Sequence, residues 1–362
     1  MSKEIPLSLQ MVKSVEKRYR PGMMRWHYEH GLVLFASLKA ADFHKDDSVY
    51  PWVYSMYDCL IGDDGTIATY REGEYNLDQI NAGRALFVLE DRSGEKRFKL
   101  AQDRLKSQLN TQPRCLNGVY WHKEVYPWQI WLDGLYMEGP FNVEYASRHN
   151  DPNAINDVIK QLETTYETLK DEKTGLLYHA FDESRGQRWS NEITGLSPHF
   201  WSRSIGWYMM AVVDVLDFIP SNHPERDNLI AIVKNLANDI LPFQDESGMW
   251  YQVTDQGTRE GNYLETSGTS MFAYSILKGV RLGYLSDQLV PYAIKAIDGI
   301  KRLYLTDDNG ELHLGGICSV AGLGGNPYRD GSFKYYIKEK IATDDFKGVG
   351  PFILALVESE MR

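Results

Sequence analysis

Residues 155–178, INDVIKQLETTYETLKDEKTGLLY, decide the fold class. Ile155, Val158, Ile159, Leu162, Tyr166 and Leu169 recur at three- and four-residue spacing, the signature of a helix with one apolar stripe. The stripe ends at Thr174-Gly175, a tight-turn signal, followed by the β-prone Leu176-Leu177-Tyr178. The same unit returns along the chain. Its turns are Asp63-Asp64-Gly65-Thr66, Asn117-Gly118-Val119-Tyr120-Trp121, Ser247-Gly248-Met249-Trp250-Tyr251 and Asp308-Asn309-Gly310-Glu311. From Gly65 to Gly310 the turn glycines stand 53, 57, 73 and 62 residues apart. Asp-Gly and Asn-Gly pairs flanked by such residues predict brief hairpins.

Between the turns the spacing predicts helices over 77–89, 98–109, 155–169, 201–218, 228–241, 267–282 and 289–303. Weaker periodicity marks 7–19, 31–41, 48–61, 131–146 and 348–360. About a dozen helices, paired in units of roughly sixty residues, cannot each bury their faces alone. Six helical hairpins closed in a ring solve this. The expected fold is therefore all-α, an (α/α)6 toroid with inner and outer helix layers and short β-hairpins in the loops. No Pro-, Ser- or Gly-rich linker divides the sequence, so residues 1–362 read as one domain. In such a ring the inner-helix ends and their loops converge on a central pit.

Composition narrows the chemistry. Of the 362 residues, 39 are Lys or Arg and 50 Asp or Glu, a formal net charge of −11 that argues against nucleic-acid partners. No apolar run approaches the ~18 residues of a membrane span. The opening MSKEIPLSLQMVKSVEKRYR has no apolar leader segment, so a cytoplasmic address is expected. Cys59, Cys115 and Cys318 are odd in number and widely spaced, and read as reduced packing residues. No HExxH, GxGxxG, P-loop or GxSxG motif occurs, so neither a metal nor another cofactor is expected. The Gly-rich 315–325 reads as a rim loop whose backbone can approach a ligand. The chain holds 9 Trp, 23 Tyr and 13 Phe, and many stand beside polar residues, a pairing that suits the faces and edges of sugar rings.

The least ordinary segment is VYWHKEVYPWQIWLDGLYMEGPF, 119–141. A helix starting near Gln129 would carry Asp133 early, among Trp131, Leu135, Tyr136 and Met137. A carboxylate there is salt-bridged, caps a backbone group, or serves acid/base chemistry. Asp78 suits a helix cap or first turn as well as a site. His27, His122 and His179 each adjoin an aromatic residue, as satisfied histidines at helix ends do. Arg203 and Trp207, four apart, share a helical face; they could grip a carboxylate and stack on a sugar, or form a plain structural pair.

These residues also carry a resemblance. WHYEHG (26–31), NLDQINAG (76–83), VYWHK (119–123), YPWQIWLDGLYMEGPF (126–141), TGLLYHAFDE (174–183), FWSRSIGWY (200–208), ICSVAGLGG (317–325), YRDGSFKYY (328–336) and KGVGPFILA (347–355) resemble glycoside hydrolase family 105. That is the family of unsaturated rhamnogalacturonyl and related unsaturated β-glycuronyl hydrolases, and its fold is the same toroid. The resemblance implies a substrate: a short lyase-generated oligosaccharide whose nonreducing-end uronate carries a C4=C5 double bond. It makes Asp133 the acid/base that protonates C4 and activates water for C5. A neighbouring Asp78 and the aromatic surroundings would disfavour ionisation of Asp133. It also implies that His27, Tyr28, Asp78, His122, Tyr126, Trp131, His179, Arg203 and Trp207 line the pocket. Asp78 and the histidines would bind sugar hydroxyls, Trp207 would stack, and Arg203 would face the uronate carboxylate. Glu29 stands where some relatives have histidine, which leaves the aglycone open. Rival readings are a glucuronyl hydrolase acting on ulvan, arabinogalactan or glycosaminoglycan fragments, a sugar epimerase using two histidines, and a non-catalytic sugar-binding protein.

Overall fold

The computed structural model describes residues 5–362. Residues 1–4, where the segment read as lacking a leader begins, lie outside the described residues. The elements run α1 (Leu7–Arg18), α2 (Tyr28–His44), α3 (Val49–Asp58), α4 (Arg84–Ser93), α5 (Lys96–Thr111), β1 (Gln129–Trp131), α6 (Leu132–Arg148) and α7 (Pro152–Leu169). They continue β2 (Ala180–Asp182), α8 (Ser202–Val215), α9 (Arg226–Asp239), α10 (Thr266–Arg281), α11 (Val290–Tyr304), β3 (Leu305–Asp308), β4 (Glu311–Leu314), β5 (Ile317–Cys318), α12 (Phe333–Lys338), β6 (Ile341–Ala342) and α13 (Phe346–Glu360).

Two kinds of long helix alternate. In α7 the buried residues form the stripe read from the sequence, Ile155 through Leu169. In α8 all 14 residues are buried, and α10 is buried from Thr266 to Val280. A striped helix belongs on an outer layer; one buried all round has to be surrounded. The packing follows. Helix α13 lies between α2 and α10, and α8 between α10 and α6, while α4 and the 3-10 turns before it bridge α6 back to α2. Outside this ring of six stand α1, α3, α5, α7, α9 and α11. This is the (α/α)6 toroid.

Local departures have physical causes. The helix expected over 77–89 opens as two 3-10 turns, Leu77–Gln79 and Asn81–Gly83. There α2 comes so close that a Cβ on Gly31 would stand 2.3 Å from the Cα of Ala82. The Asn81 side chain donates to the Tyr136 carbonyl (2.8 Å), anchoring the tight turns to α6. The helix expected from Gln129 starts at Leu132 instead. Residues 129–131 are extended because they pair antiparallel with β2, Trp131 opposite Ala180. Of the glycine turns, 308–311 makes a full two-residue hairpin, with Asn309 and Gly310 both at positive φ. Those at 63–66, 117–121 and 174–178 close with one bridge each: Ile61 to Ile67, Arg114 to Tyr120, and Lys170 to Leu177. Among the described residues no helix is long and apolar enough to cross a membrane.

The inner ring is cross-tied by a buried ionic network. Asp214 of α8 is fully buried and accepts from Lys278 Nζ (2.8 Å) and Tyr274 Oη (2.7 Å), both of α10. Arg84 of α4 lies 2.9 Å from its other oxygen and donates to Tyr136 Oη of α6 at 2.7 Å. Burial pushes the Asp214 carboxyl up, but Lys278 and Arg84 outweigh it and hold it at about 2. Asp214→Asn would leave the buried Arg84 without its anion and Lys278 with only the partly exposed Asp217 (2.6 Å), so a loss of about 3–5 kcal/mol in denaturant unfolding is expected. A loss below ~1 kcal/mol would show that the network does not hold the ring.

Candidate active site

The first turns of the inner helices and the loops before them bring the chemistry together. Asp133 sits in the first turn of α6, placed there by the Leu132 N–H, which donates to the His179 carbonyl at 3.1 Å. The next residue is Gly134 for a steric reason: a Cβ there would stand 3.1 Å from His122 Nδ1 and 3.3 Å from Leu77 Cδ1. Its absence lets α6 begin against both the His122 loop and the Asp78 turn.

Asp133 keeps 15% of its side chain exposed, but its Oδ2 is buried. That oxygen lies 3.3 Å from Nε2 of the wholly buried His179, out of line for a hydrogen bond, and neither atom has another partner. Nδ1 of His179 is hydrogen-bonded to Tyr336 Oη at 2.8 Å. The rings around it are Trp131, edge-on at 5.3 Å, and Trp201 at 4.7 Å. Trp131 is itself the middle of a stack, parallel to His122 (5.1 Å, 11°) and to Tyr126 (5.0 Å, 9°). Arg329, from beyond the Gly-rich loop, donates to the Tyr126 hydroxyl at 3.0 Å.

The other carboxylates are spoken for. Asp78 accepts from Lys123 Nζ at 2.5 Å, with Nε2 of His122 at 3.4 Å and Nε2 of His27 at 3.8 Å. Burial alone would raise its pKa, but Lys123, His122 and His27 together hold it well below the usual carboxylate range. Glu29 is likewise opposed by burial, yet His27 and Lys347 bring it to about 2. Lys347 Nζ donates to Glu29 at 2.9 Å. Glu265 caps α10: Oε2 accepts from the Gly268 N–H at 2.7 Å and Oε1 from the Cys318 N–H at 2.9 Å. Burial lowers His122 to about 4, so it is neutral near pH 7.

Arg203, only 1% exposed, shows the opposite pattern. Its Nη1 donates to the Cys318 carbonyl and to Ser267 Oγ (3.3 Å), and its Nε has no hydrogen-bond partner. Among the described residues no carboxylate oxygen lies within 4.0 Å of it. The nearest buried counter-charge, Glu265, meets it only through Ser267 Oγ, which donates to that carboxylate, so an anionic ligand could still pair with the guanidinium directly.

Burial changes two readings of the sequence. Trp207 is 1% exposed, parallel to Tyr136 at 4.9 Å and edge-on to Tyr28 at 5.9 Å. It backs Tyr28 instead of offering a free face. Of the three histidines, His27 is the partly exposed one, with a third of its side chain accessible. His122 and His179 are buried with Nε2 turned towards a carboxylate, which fits positioning better than direct contact with a sugar. Sequence reasoning passed over Lys123 and Tyr336. Lys123 stood in the quoted WHK, and its one signal was a cation beside a histidine already under suspicion. Tyr336, in YRDGSFKYY, had none.

Among the described residues no group of three or more His, Cys, Asp or Glu could hold a metal ion. The cysteines are all free, with Cys115 and Cys318 buried. A cavity of about 530 Å³, lined by Phe35, Lys39, Tyr274, Lys278 and Glu358, opens at the C-terminal ends of the inner helices. It lies beside the ionic network, away from Asp133.

Lys123→Met would leave the buried Asp78 carboxylate with only histidines. A loss of about 1–3 kcal/mol near neutral pH is expected from denaturant unfolding. Because the folded-state pKa of Asp78 is depressed, its stabilisation is present above its ordinary value of 3.8 and fades as pH falls. The gap between variant and wild type should therefore shrink below about pH 4. A gap independent of pH would detach Lys123 from Asp78.

Residues 7–362 match the model of Glycosyl Hydrolase Family 88. The structure aligns with that of a glycoside hydrolase from family 105 of C. acetobutylicum ATCC 824 with a TM-score of 0.96. The two are 43% identical, and the alignment covers 99% of this chain and 100% of that one. Protein Atu3128 of Agrobacterium fabrum is 39% identical over 227 residues, 61% of this chain and 97% of its own length. The unsaturated rhamnogalacturonyl hydrolase YesR of Bacillus subtilis is 24% identical over 213 residues, 57% of this chain and 59% of its own. With one family model matched almost end to end and a family 105 structure this similar over its full length, the chain belongs to the glycoside hydrolases of families 88 and 105.

Proposed function

We propose that this glycosidase removes the unsaturated uronate from the nonreducing end of lyase-generated oligosaccharides, with unsaturated galacturonyl-rhamnose as substrate, and that Asp133 is its single acid/base. The carrying observation is the sorting of carboxylates. Asp78 and Glu29 are each tied to a lysine, and Glu265 is tied to backbone N–H groups, so of these four described carboxylates Asp133 is the one without a cation or cap. Ordinary glycosidases need two working carboxyls, one giving a proton while the other attacks or activates water. Hydration of an enol ether needs only one, protonated first and basic afterwards.

In this reading Arg203, which has no carboxylate in direct contact, receives the uronate carboxylate, while Asp78 and His27 hold ring hydroxyls and Tyr28 supplies an aromatic wall. Asp133 gives its proton to C4 of the C4=C5 double bond. Positive charge develops at C5 and is shared with the ring oxygen. Water adds at C5 and loses a proton to Asp133, which restores the acid. The hemiketal at C5 opens to a ketone, and the released C1 hemiacetal expels the neighbouring sugar as an alcohol.

Loss of ultraviolet absorbance by unsaturated disaccharides follows the reaction directly. Wild-type protein is expected to abolish the absorbance of the galacturonyl-rhamnose substrate faster than that of glucuronyl substrates. No change with any lyase product would refute the hydrolase. Asp133→Asn keeps the shape without the proton and should slow turnover by roughly 10²-fold or more. Near wild-type turnover in that variant would move the chemistry elsewhere. Arg203→Lys keeps charge but loses the planar fork; KM should rise on the order of 10-fold with kcat less affected. An unchanged KM would remove Arg203 from carboxylate recognition.

A further inference from the structure

We propose that Tyr336 is a positioning residue: its hydroxyl fixes His179 as the Nε2–H tautomer, making that ring a hydrogen-bond donor to the buried oxygen of Asp133. The argument is one of donors. The ring of Tyr336 is fully buried, and its hydroxyl has one hydrogen-bond partner among the described residues, Nδ1 of His179 at 2.8 Å. A buried hydroxyl carries one proton to donate, and leaving it unmade costs about 1–3 kcal/mol. With Nδ1 the one acceptor in reach, the hydroxyl donates there. Nδ1 then has no proton, so the neutral ring carries its N–H on Nε2. That nitrogen stands 3.3 Å from Oδ2 of Asp133, and neither atom has another partner. The opposite tautomer would leave the tyrosine proton without an acceptor.

Tyr336 is itself held from two sides. Its ring lies nearly parallel to Trp201 (6.2 Å, 29°), and its carbonyl accepts from Gln252 Nε2 at 3.2 Å. Gln252 Oε1 in turn accepts from the indole N–H of Trp201 at 3.0 Å. Burial also pushes the phenol well above its ordinary pKa, keeping the proton in place.

The tautomer matters to chemistry only through the acid/base reading of Asp133, on which this consequence rests. With Oδ2 buried, the other oxygen of the carboxyl is the one that reaches the pit and passes protons. When Asp133 gives its proton up, the charge that remains spreads over both oxygens, and an N–H aimed at Oδ2 stabilises it. The N–H is out of line in the free protein, and such contacts commonly tighten when substrate is bound.

Long-range 1H–15N spectra of 15N-histidine-labelled wild-type protein near neutral pH report the tautomer, with His179→Gln identifying the signals. A proton on Nε2 and a bare Nδ1 are expected; a proton on Nδ1 overturns the proposal and needs no variant. In Tyr336→Phe, the Nδ1 signal should move towards the protonated form. On unsaturated disaccharide, kcat should fall about 10-fold while KM stays within about twofold. A melting temperature close to wild type would separate this from a packing defect. An unchanged tautomer and unchanged kcat in Tyr336→Phe would also overturn it. Failure of the hydrolase reading has a different signature, a wild-type protein without turnover, whereas the tautomer is read with no substrate present.

Discussion

A ring of six inner helices has no sheet to set its register, and apolar side chains tolerate rotation about a helix axis. The Asp214 carboxylate does not. It takes a lysine and a tyrosine from α10 and an arginine from α4, which also reaches the Tyr136 hydroxyl of α6. Four inner helices therefore share one set of directional contacts in a dry interior, where removing the central carboxylate leaves the buried Arg84 unpaired. Fixing these rotations near the C-terminal end of α8 also fixes where its first turn points. Arg203 and Asp214 lie eleven residues apart on one rigid helix whose residues are all buried. The network at one end of the ring thus aims the residues at the other.

At that other end the charges are arranged differently. Near Asp214, Arg84 and Lys278 share its carboxylate, and Lys278 also reaches Asp217. In the pit, Asp78 and Glu29 are neutralised by Lys123 and Lys347, whereas Asp133 meets no cation and Arg203 meets Glu265 only through Ser267. Folding alone gives no gain from such unmatched groups; they cost stability until a ligand arrives with complementary charge and shape. An anionic sugar with a basic carbon meets both requirements at once, giving its carboxylate to the guanidinium and its double bond to the acid.

The helices were legible because burial pattern is a local property of sequence. The stripe of α7 and the continuous apolar run of α8 each announce their layer. What escaped was set by contacts between distant segments. Residues 77–83 wind into 3-10 turns because Gly31 presses on Ala82, a meeting of two stretches some fifty residues apart. Strands β1 and β2, three residues each, are too short to show a period and exist only through each other. In the site, the type of residue was readable and its direction was not. Trp207 and Arg203 do share a helical face, but only the packed structure shows that Tyr136 and Tyr28 cover the indole. Asp133 was singled out by its apolar neighbours, while the hydroxyl behind His179 comes from a residue more than 150 positions later.

This distribution explains why the Trp-Leu-Asp-Gly sequence is so compact. Trp131 ends the extended strand and lies between His122 and Tyr126; Leu132 ties α6 to the His179 carbonyl; Asp133 reaches the pit; Gly134 leaves room for His122. Each of the four answers to a different neighbour, and the strand-to-helix change at 131–132 is what turns them towards those neighbours. A helix begun at Gln129 would carry Trp131 and Asp133 round a continuous spiral, about 200° apart. The antiparallel pairing of β1 with β2 holds Trp131 extended instead, so that indole and carboxyl both border His179. The site's geometry therefore depends on three residues of strand inside an all-helical ring.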